Sequence, residues 1–423
     1  MSLSKQQLEI VNSTAKNIIV DAGSGSGKTR VLTERVKKVL ESGTDPTSIV
    51  VITFTNMAAD ELKTRLNGTV GIDKCFVGTI HSYANKLLKR TGFDFEIFSE
   101  LYQTQFMKIL IPKYARRCTF DDYLCFVKYD RLVSAGRMSE KDIESKFSDK
   151  RVYGELMILL GRSNMSHYDY PETVLTLCKA NNIISFDELI KLSTNYFKAA
   201  KVHLQYLFVD ELQDIGYLEY NFLRKLNADN NFFIGDDYQS IFSFKGGDVG
   251  IFLSLMKNED WKTYYLTENY RTAKSILLYA NTIVSKAEDI IKKDVVCMNE
   301  NKGDLRFATK STFEEFLSKL KPDDDWFILT RSNKEMIMAE AILKKNKIDH
   351  YCFKQSNISH KKLMEIKSKP CIKVMTIHAS KGLECENVAL YGKLPVKGTG
   401  ASEELKVYYV GLTRAINKCV VFV

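Results

Sequence analysis

Ile18-Ile19-Val20-Asp21-Ala22-Gly23-Ser24-Gly25-Ser26-Gly27-Lys28-Thr29 decides how this chain is read. Three β-favouring apolar residues enter the stretch and a glycine-rich loop follows. Beyond Lys28-Thr29, the residues Leu32, Val36, Val39 and Leu40 recur at helical spacing. The order is strand, loop, helix. Gly23, Gly25 and Gly27 let the backbone bend so that successive N–H groups converge on one anion. The helix start adds its partial positive charge. Lys28 is placed to reach the outer phosphates of a nucleoside triphosphate, and the Thr29 hydroxyl to hold Mg²⁺. The strict pattern has glycine at position 22, where this chain has Ala22.

Around this loop, 423 residues are enough for about three or four compact units. A formal charge of +9 favours a polyanionic partner without demanding one. The nine cysteines are scattered, with no Cys-x-x-Cys pair and no zinc spacing, which suits reduced thiols in an intracellular compartment. The first residues are polar and unlike a signal peptide, and no apolar run approaches membrane-spanning length.

Taken in order, Ser4 can cap a short helix carrying Gln7, Ile10 and Val11, and a glutamine there can read adenine. Ile49-Val50-Val51-Ile52 is a second buried strand, leaving through Thr53-Phe54-Thr55-Asn56 into a helix. Loops at the carboxyl ends of parallel strands are where α/β sheets bind ligands. Phe54 there can stack on a base or tuck into the core. Gly78-Thr79-Ile80-His81-Ser82 is a third such turn. From about 92 to 185 strand signals fade and helical patterns dominate, at 98–111, 123–133, 140–146 and 152–160, with a basic cluster of Lys113, Arg116 and Arg117. The segment reads as a helical insertion, its basic cluster a solvated face. A helix over 187–199 then leads to Tyr206-Leu207-Phe208-Val209-Asp210-Glu211, an apolar strand delivering two carboxylates. Asp210 suits Mg²⁺; Glu211 suits positioning and deprotonating an attacking water. Another strand exits through Gly235-Asp236-Asp237-Tyr238-Gln239-Ser240, where Gln239 can sense a terminal phosphate. Phe242 and Phe244 alternate, so an extended segment would present both on one side, with Lys245 beside them as a phosphate clamp.

These blocks, in this order, resemble superfamily 1 helicases of the UvrD/Rep/PcrA type. Residues 3–11 look like the adenine-reading glutamine block and 22–29 like the Walker A loop. Residues 53–59 resemble the Thr-Phe-Thr-Asn DNA-contact block, 78–82 Gly-Thr-Phe-His-Ser, 210–214 Asp-Glu-Phe-Gln-Asp, and 235–247 the long Gly-Asp-Asp-Asp-Gln-Ser block. In the second half, Asn269-Tyr270-Arg271-Thr272 resembles Asn-Tyr-Arg-Ser. Residues 326–333 open a second motor sheet. Residues 374–384 resemble Thr-x-His-x-x-Lys-Gly-Leu-Glu, and 409–415 Tyr-Val-Gly-x-Thr-Arg-Ala.

The resemblance implies an α/β fold of two RecA-like P-loop motor domains with parallel sheets. The first comprises 1–92 and 186–265, interrupted by the helical subdomain 93–185. The second comprises 266–423. It implies ATP-driven 3′–5′ translocation on single-stranded DNA, with ATP and Mg²⁺ as cofactors, in an intracellular monomer. Its substrates would be single strands and tailed duplexes, in the company of replication or repair proteins. Catalysis falls to Lys28, Asp210, Glu211, Gln239, Arg271 and Arg414. Nucleotide contacts fall to Gln7, Ala22, Gly23, Ser24, Gly25, Ser26, Gly27, Lys28, Thr29, Arg30, Tyr270 and Glu384, and metal contacts to Thr29 and Asp210. DNA contacts fall to Phe54, Thr55, Asn56, Thr79, His81, Phe242, Phe244, Lys245, Thr376 and His378. A catalytically silent ATP-binding accessory and a plain single-strand-binding protein are the rival readings; the intact Lys28, Glu211, Gln239, Arg271 and Arg414 argue against the first, and whether function survives Lys28→Ala with DNA affinity kept tests the second.

The chain also departs from the family. Residues 353–370 form a stub where relatives carry a large regulatory insertion, so the motor is expected to lack that autoinhibition. The sequence stops one strand after Arg414, where relatives continue into a duplex-splitting β-hairpin. That leaves open whether the motor only translocates or splits duplex with a wedge in its helical insertion. Phe242, Phe244 and Lys245 replace Tyr, Trp and Arg, which keeps stacking but turns a planar fork into a point charge. Leu405 stands where relatives have arginine.

Overall fold

The computed structural model describes residues 2–97, 111–112, 115–134, 139–159, 183–196, 202–321, 324–353, 370–392 and 401–423. Residues 354–369 of the expected stub and all but residue 111 of the expected helix at 98–111 lie outside them.

Two six-stranded sheets organise the chain, and every strand pair in both is parallel. The first runs, edge to edge, Phe76–Thr79, Ile49–Thr53, Tyr206–Val209, Asn230–Gly235, Asn17–Ala22 and Lys262–Leu266. The second runs Asp304–Ala308, Ala415–Phe422, Cys385–Tyr391, Trp326–Thr330, Ile372–Thr376 and His350–Cys352. These are the RecA-like motor sheets. Ile49–Thr53 and Trp326–Thr330 are buried along their whole length, which is why they read as unbroken apolar runs rather than alternating ones.

Helices cover both faces. Lys28–Glu41 turns Val31, Leu32, Val36 and Val39 onto one face of the first sheet, against Ile18, Val20 and Ile234. Each such side chain contributes about 1.5–3 kcal/mol when fully buried. Ser4 caps Lys5–Asn12 in a reciprocal box with Gln7. Thr55 caps Asn56–Leu66 through the Ala58 N–H, and Thr79 caps Ile80–Arg90 in a box with Ser82. The helix expected over 187–199 is Phe186–Tyr196. Helices Phe120–Ser134, Glu140–Glu144 and Lys150–Leu159 form a satellite around Phe126, Ile143 and Leu156. There Arg117 pairs with Glu155 at 2.9 Å on an open face.

Each sheet has apolar clusters of its own, and one further cluster joins the two halves. Tyr238, Ile241 and Phe242, from the exit of a first-sheet strand, pack with Ile276, Met375, Ile377, Leu390, Tyr409 and Leu412 of the second half. Leu405, the residue in the arginine position, belongs to this apolar cluster and is 8% exposed. No helix among the described residues is long and apolar enough to cross a membrane.

Candidate functional site

The first sheet's carboxyl ends place the phosphate loop, Asp210-Glu211 and Asp236 side by side. Gly25 (φ 66°) and Gly27 (φ 85°) hold left-handed backbone that favours glycine. Space demands it too. A Cβ at Gly25 would lie 2.8 Å from the Asn269 amide, and one at Gly27 would lie 2.7 Å from Gln7 Nε2. Those two amides hold the loop from behind, Gln7 Nε2 donating to the Ser26 carbonyl at 2.9 Å and Asn269 Nδ2 to that of Ser24 at 2.5 Å.

Gln7 is 3% exposed; one of its two Nε2 N–H groups goes to Ser26, and its Oε1 accepts from the Ser4 N–H at 3.1 Å. The amide thus braces the loop. Ala22 and Ser24 are fully buried and act as loop framework.

Lys28 opens the helix, its Nζ 3.2 Å from the Ala22 carbonyl and 3.6 Å from Asp236 Oδ2. Asp210 is 4% exposed. Burial, with Glu211 beside it, pushes its carboxyl up to about 7. Glu211 adopts a left-handed φ of 55°, unusual for a side chain with a Cβ. Its N–H donates to Asp210 Oδ1 at 3.0 Å and its carboxylate accepts from Gln213 Nε2 at 2.5 Å. Burial opposes the charge on Glu211, but Lys381 and Lys28 outweigh it and hold the group below its usual range. Burial thus disfavours charge on both carboxylates, and the two lysines offset it at Glu211.

A hard divalent cation takes oxygen ligands, and Thr29 and Asp210 supply a hydroxyl and a carboxylate lining the same cleft. No ion pair engages Asp210 among the described residues, so this buried carboxyl fits a role in holding Mg²⁺.

The second half closes the cleft. Arg414 is 1% exposed. Its Nε donates to the Val410 carbonyl at 3.0 Å, Nη1 to that of Leu383 at 3.1 Å and Nη2 to Gln239 Oε1 at 2.9 Å. Gln239 in turn donates to Asp236 Oδ2 at 2.6 Å. Arg271 Nη2 bonds the Ser24 hydroxyl in the phosphate loop and the Thr413 carbonyl at 2.8 Å, and its Nη1 lies 3.4 Å from Glu384. One cleft of about 810 Å³ is lined by Gly25, Ser26, Gly27, Lys28, Thr29 and Arg30, by Asp210, Glu211 and Gln239, and by Tyr270, Arg271, Glu384 and Arg414. Tyr270 is 43% exposed, its hydroxyl held by Glu268 at 2.7 Å.

A second cleft, of about 350 Å³, brings Phe54, Thr55, Asn56, Thr79 and His81 together beside Phe186 and Asp187. The Thr55 and Thr79 hydroxyls serve as helix caps there, and the His81 ring packs edge-on against Phe186 at 5.0 Å. The aromatic platform differs from the extended segment expected. Phe242 precedes a 3-10 turn over Ser243–Lys245, and the two rings stay in contact at 6.0 Å while differing in depth. Phe242 is 8% exposed and stacked on Phe54 at 5.4 Å, whereas Phe244 is 51% exposed, and both pack against His378, at 6.1 and 5.4 Å. The Lys245 side chain lies outside the described residues. Thr376 ends its strand and accepts from the Ala379 N–H at 3.3 Å.

Sequence reasoning did not single out Lys381, although it sits inside a quoted block. Its Nζ bonds Asp214, donates to the Gln239 carbonyl at 2.6 Å, lies 3.7 Å from Glu211 and sits 5.2 Å from the Phe242 ring centroid. One side chain of the second half thus touches both the carboxylate pair and the aromatic cluster. Gln213 was missed likewise: its Oε1 accepts from the Asp236 N–H at 2.9 Å while its Nε2 holds Glu211.

Fold and site together define a P-loop nucleotide-binding protein with two motor sheets. Residues 3–260, more than half the chain, match the UvrD/REP helicase N-terminal domain model, and residues 353–422 match the UvrD-like helicase C-terminal domain model. The chain belongs to the UvrD/Rep helicase family. It is 26% identical to a probable DNA helicase of Mycoplasma pneumoniae over 94% of this chain and 78% of that protein. It is 25% identical to the ATP-dependent DNA helicase Rep of Buchnera aphidicola (87% and 57%) and 27% identical to the ATP-dependent DNA helicase PcrA of Staphylococcus aureus (81% and 50%). The chain thus spans about half the length of the latter two.

Proposed function

We propose that the protein is a Mg²⁺- and ATP-dependent translocase on single-stranded DNA, moving 3′ to 5′, that couples hydrolysis between its two motor units to strand movement and to unwinding of tailed duplexes. The units are 1–92 with 186–265, the helical subdomain 93–185, and 266–423. The observation that carries the reading is the bond from Arg414, just before a strand of the second sheet, to Gln239, in the 3-10 turn that follows a strand of the first. Phosphoryl transfer spreads negative charge over the transferred group, so a buried cation held against it lowers the barrier selectively. The loop N–H groups and Lys28 bind the phosphates. Glu211 takes the proton of the attacking water, which Gln239 orients. Arg271 and Arg414 then stabilise the developing charge. Mg²⁺, held by Thr29 and Asp210, would neutralise the outer phosphates.

Because those arginines belong to the second half, hydrolysis is coupled to how the two halves sit against each other. Lys381 provides a route from that event to Phe242, which packs against Phe54, Phe244 and His378. Phe54, Thr55, Asn56, Thr79, His81 and Phe244 grip the strand from the first half, and Thr376 and His378 from the second. A strand-displacement assay with 3′-tailed and 5′-tailed duplexes tests the reading. Release from the 3′-tailed substrate alone is expected. Equal release from both, or from the 5′-tailed one, would overturn the polarity. Release from neither, with single-strand-stimulated ATPase intact, would reduce the protein to a translocase.

A further inference from the structure

Lys293 lies in none of the blocks that carry the family resemblance, yet its side chain is 1% exposed. Asp21, Asp236 and Asp237, all fully buried, are the group of carboxylates among the described residues close enough to share one cation. The Lys293 ammonium takes that place. It bonds Asp21, lies 2.9 Å from Asp236 Oδ1 and 2.7 Å from Asp237 Oδ1, and sits 4.3 Å from the Tyr238 ring centroid. A buried ammonium is expensive to desolvate, and a carboxylate cluster that loses its cation is more so. Such an arrangement persists where its neighbours use it.

The neighbours are the phosphate loop and Arg271. The Ile291 N–H donates to Asp237, and the Lys293 N–H to the Tyr238 hydroxyl at 3.1 Å. Val295 packs on the loop, 3.3 Å from where a Cβ on Gly23 would stand. The Val296 N–H donates to the Thr267 carbonyl at 2.8 Å and the Met298 N–H to that of Asn269 at 2.7 Å. Asn299 Nδ2 then donates to the Arg271 carbonyl at 2.9 Å. Residues 291–299 are thus one strap, running from the acidic cluster behind the phosphate loop to the backbone of Arg271.

We propose that Lys293 is a positioning residue for ATP binding: the buried cation that shares Asp236 with Lys28 and anchors the strap that carries Arg271. Asp236 is the shared element. Its Oδ1 faces Lys293, while its Oδ2 faces Gln239 Nε2 at 2.6 Å and Lys28 at 3.6 Å. With Lys293 in place, the charge of Asp236 is already compensated and Lys28 is available to phosphate. Without it, Lys28 is the cation left within ion-pair reach of Asp236, and the cluster competes with ATP for it. This inference rests on the nucleotide-site reading above.

The test compares wild type, Lys293→Met and Lys293→Met/Asp21→Asn in equilibrium binding of a fluorescent ATP analogue and in steady-state ATPase. Loss of Lys293 should raise Kd and KM about 10-fold or more, with a smaller fall in kcat at saturating ATP. Adding Asp21→Asn, which removes one uncompensated charge, should recover part of that affinity; melting curves of both variants separate this from a structural lesion, which would move Kd only in step with the loss of folded protein. A wild-type Kd in Lys293→Met, or an affinity loss that Asp21→Asn leaves unchanged or deepens, overturns the proposal. Should the single variant fail to fold, the double variant is compared with wild type directly. A several-fold weaker Kd then supports the proposal, and an unchanged one overturns it. Wild-type protein that binds the analogue but hydrolyses no ATP with DNA would refute the motor reading, while the Kd comparison would still judge Lys293.

Discussion

Replacing Arg414 by methionine should abolish turnover and leave the fold standing. The guanidinium is 1% exposed, and burial, with Arg271 nearby, pulls its pKa down to about 9. It is still charged at neutral pH, but a base whose folded pKa lies below its unfolded one carries a stability cost whenever it is charged. A neutral side chain of similar length recovers that cost. It forfeits four hydrogen bonds, to Val410, Leu383, Gln239 and, at 3.4 Å, the Thr413 hydroxyl, of about 1–3 kcal/mol each. The opposing terms are of similar size, so the melting temperature should move by no more than about 5 °C. Turnover behaves differently. A unit charge about 4 Å from the transferred group, at an effective dielectric of about 20, contributes about 4 kcal/mol, or roughly 10³-fold in rate. Single-turnover hydrolysis with saturating single-stranded DNA reads the chemical step, and a fluorescent ATP analogue reads binding. The expected result is a loss of about 10³ in rate with Kd changed less than about 5-fold. A folded variant that keeps more than about a tenth of the wild-type rate would refute the assignment of Arg414 to the transition state.

Glu211→Gln should bind ATP normally and lose about 10³-fold or more in turnover, measured under the same conditions, because it removes the proton acceptor and keeps the shape. In ligand-free protein, burial raises Asp210 and Asp21 to about 7 and Asp214 to about 6. Folded pKa values above the unfolded ones mean stability that is complete below about pH 4 and lost as pH rises through about 7. Without Mg²⁺, the protein should therefore melt higher at pH 6 than at pH 8, and Asp210→Asn should narrow that gap. Phe244→Ala should weaken single-strand affinity by about 10-fold with melting unchanged, as expected for one lost stacking partner. Phe242→Ala should instead cost about 3–5 kcal/mol of stability by opening the junction core, measured by denaturant unfolding.

What could be read from the chain alone follows from where parallel sheets put their chemistry. Strands buried on both faces are short apolar runs, and the polar residues that end them face the ligand. Asp210, Glu211, Gln239 and the phosphate loop all follow such runs, so local sequence located them. Arg271 and Arg414 needed the family resemblance, because nothing around either distinguishes it from a surface arginine. The depth of Phe242 was not legible, because alternation sets exposure only in an extended segment and Ser243–Lys245 turns. Nor do residue type and position reveal that the Gln7 amide braces the loop through Ser26 and Ser4. Lys293 was invisible: it follows Lys292 in an ordinary basic stretch, and its partner Asp21 is 272 residues away. Contacts of that separation are set by the junction between the sheets, which leaves no periodic trace.

Steady-state ATP turnover of the intact chain, titrated with single-stranded DNA, tests most directly whether nucleotide and strand are coupled through the two halves. The account expects a low rate without DNA, stimulation of at least about 10-fold on saturation, and loss of that stimulated rate in Arg271→Ala. An ATPase rate that ignores DNA, or one that survives removal of Arg271, would contradict it.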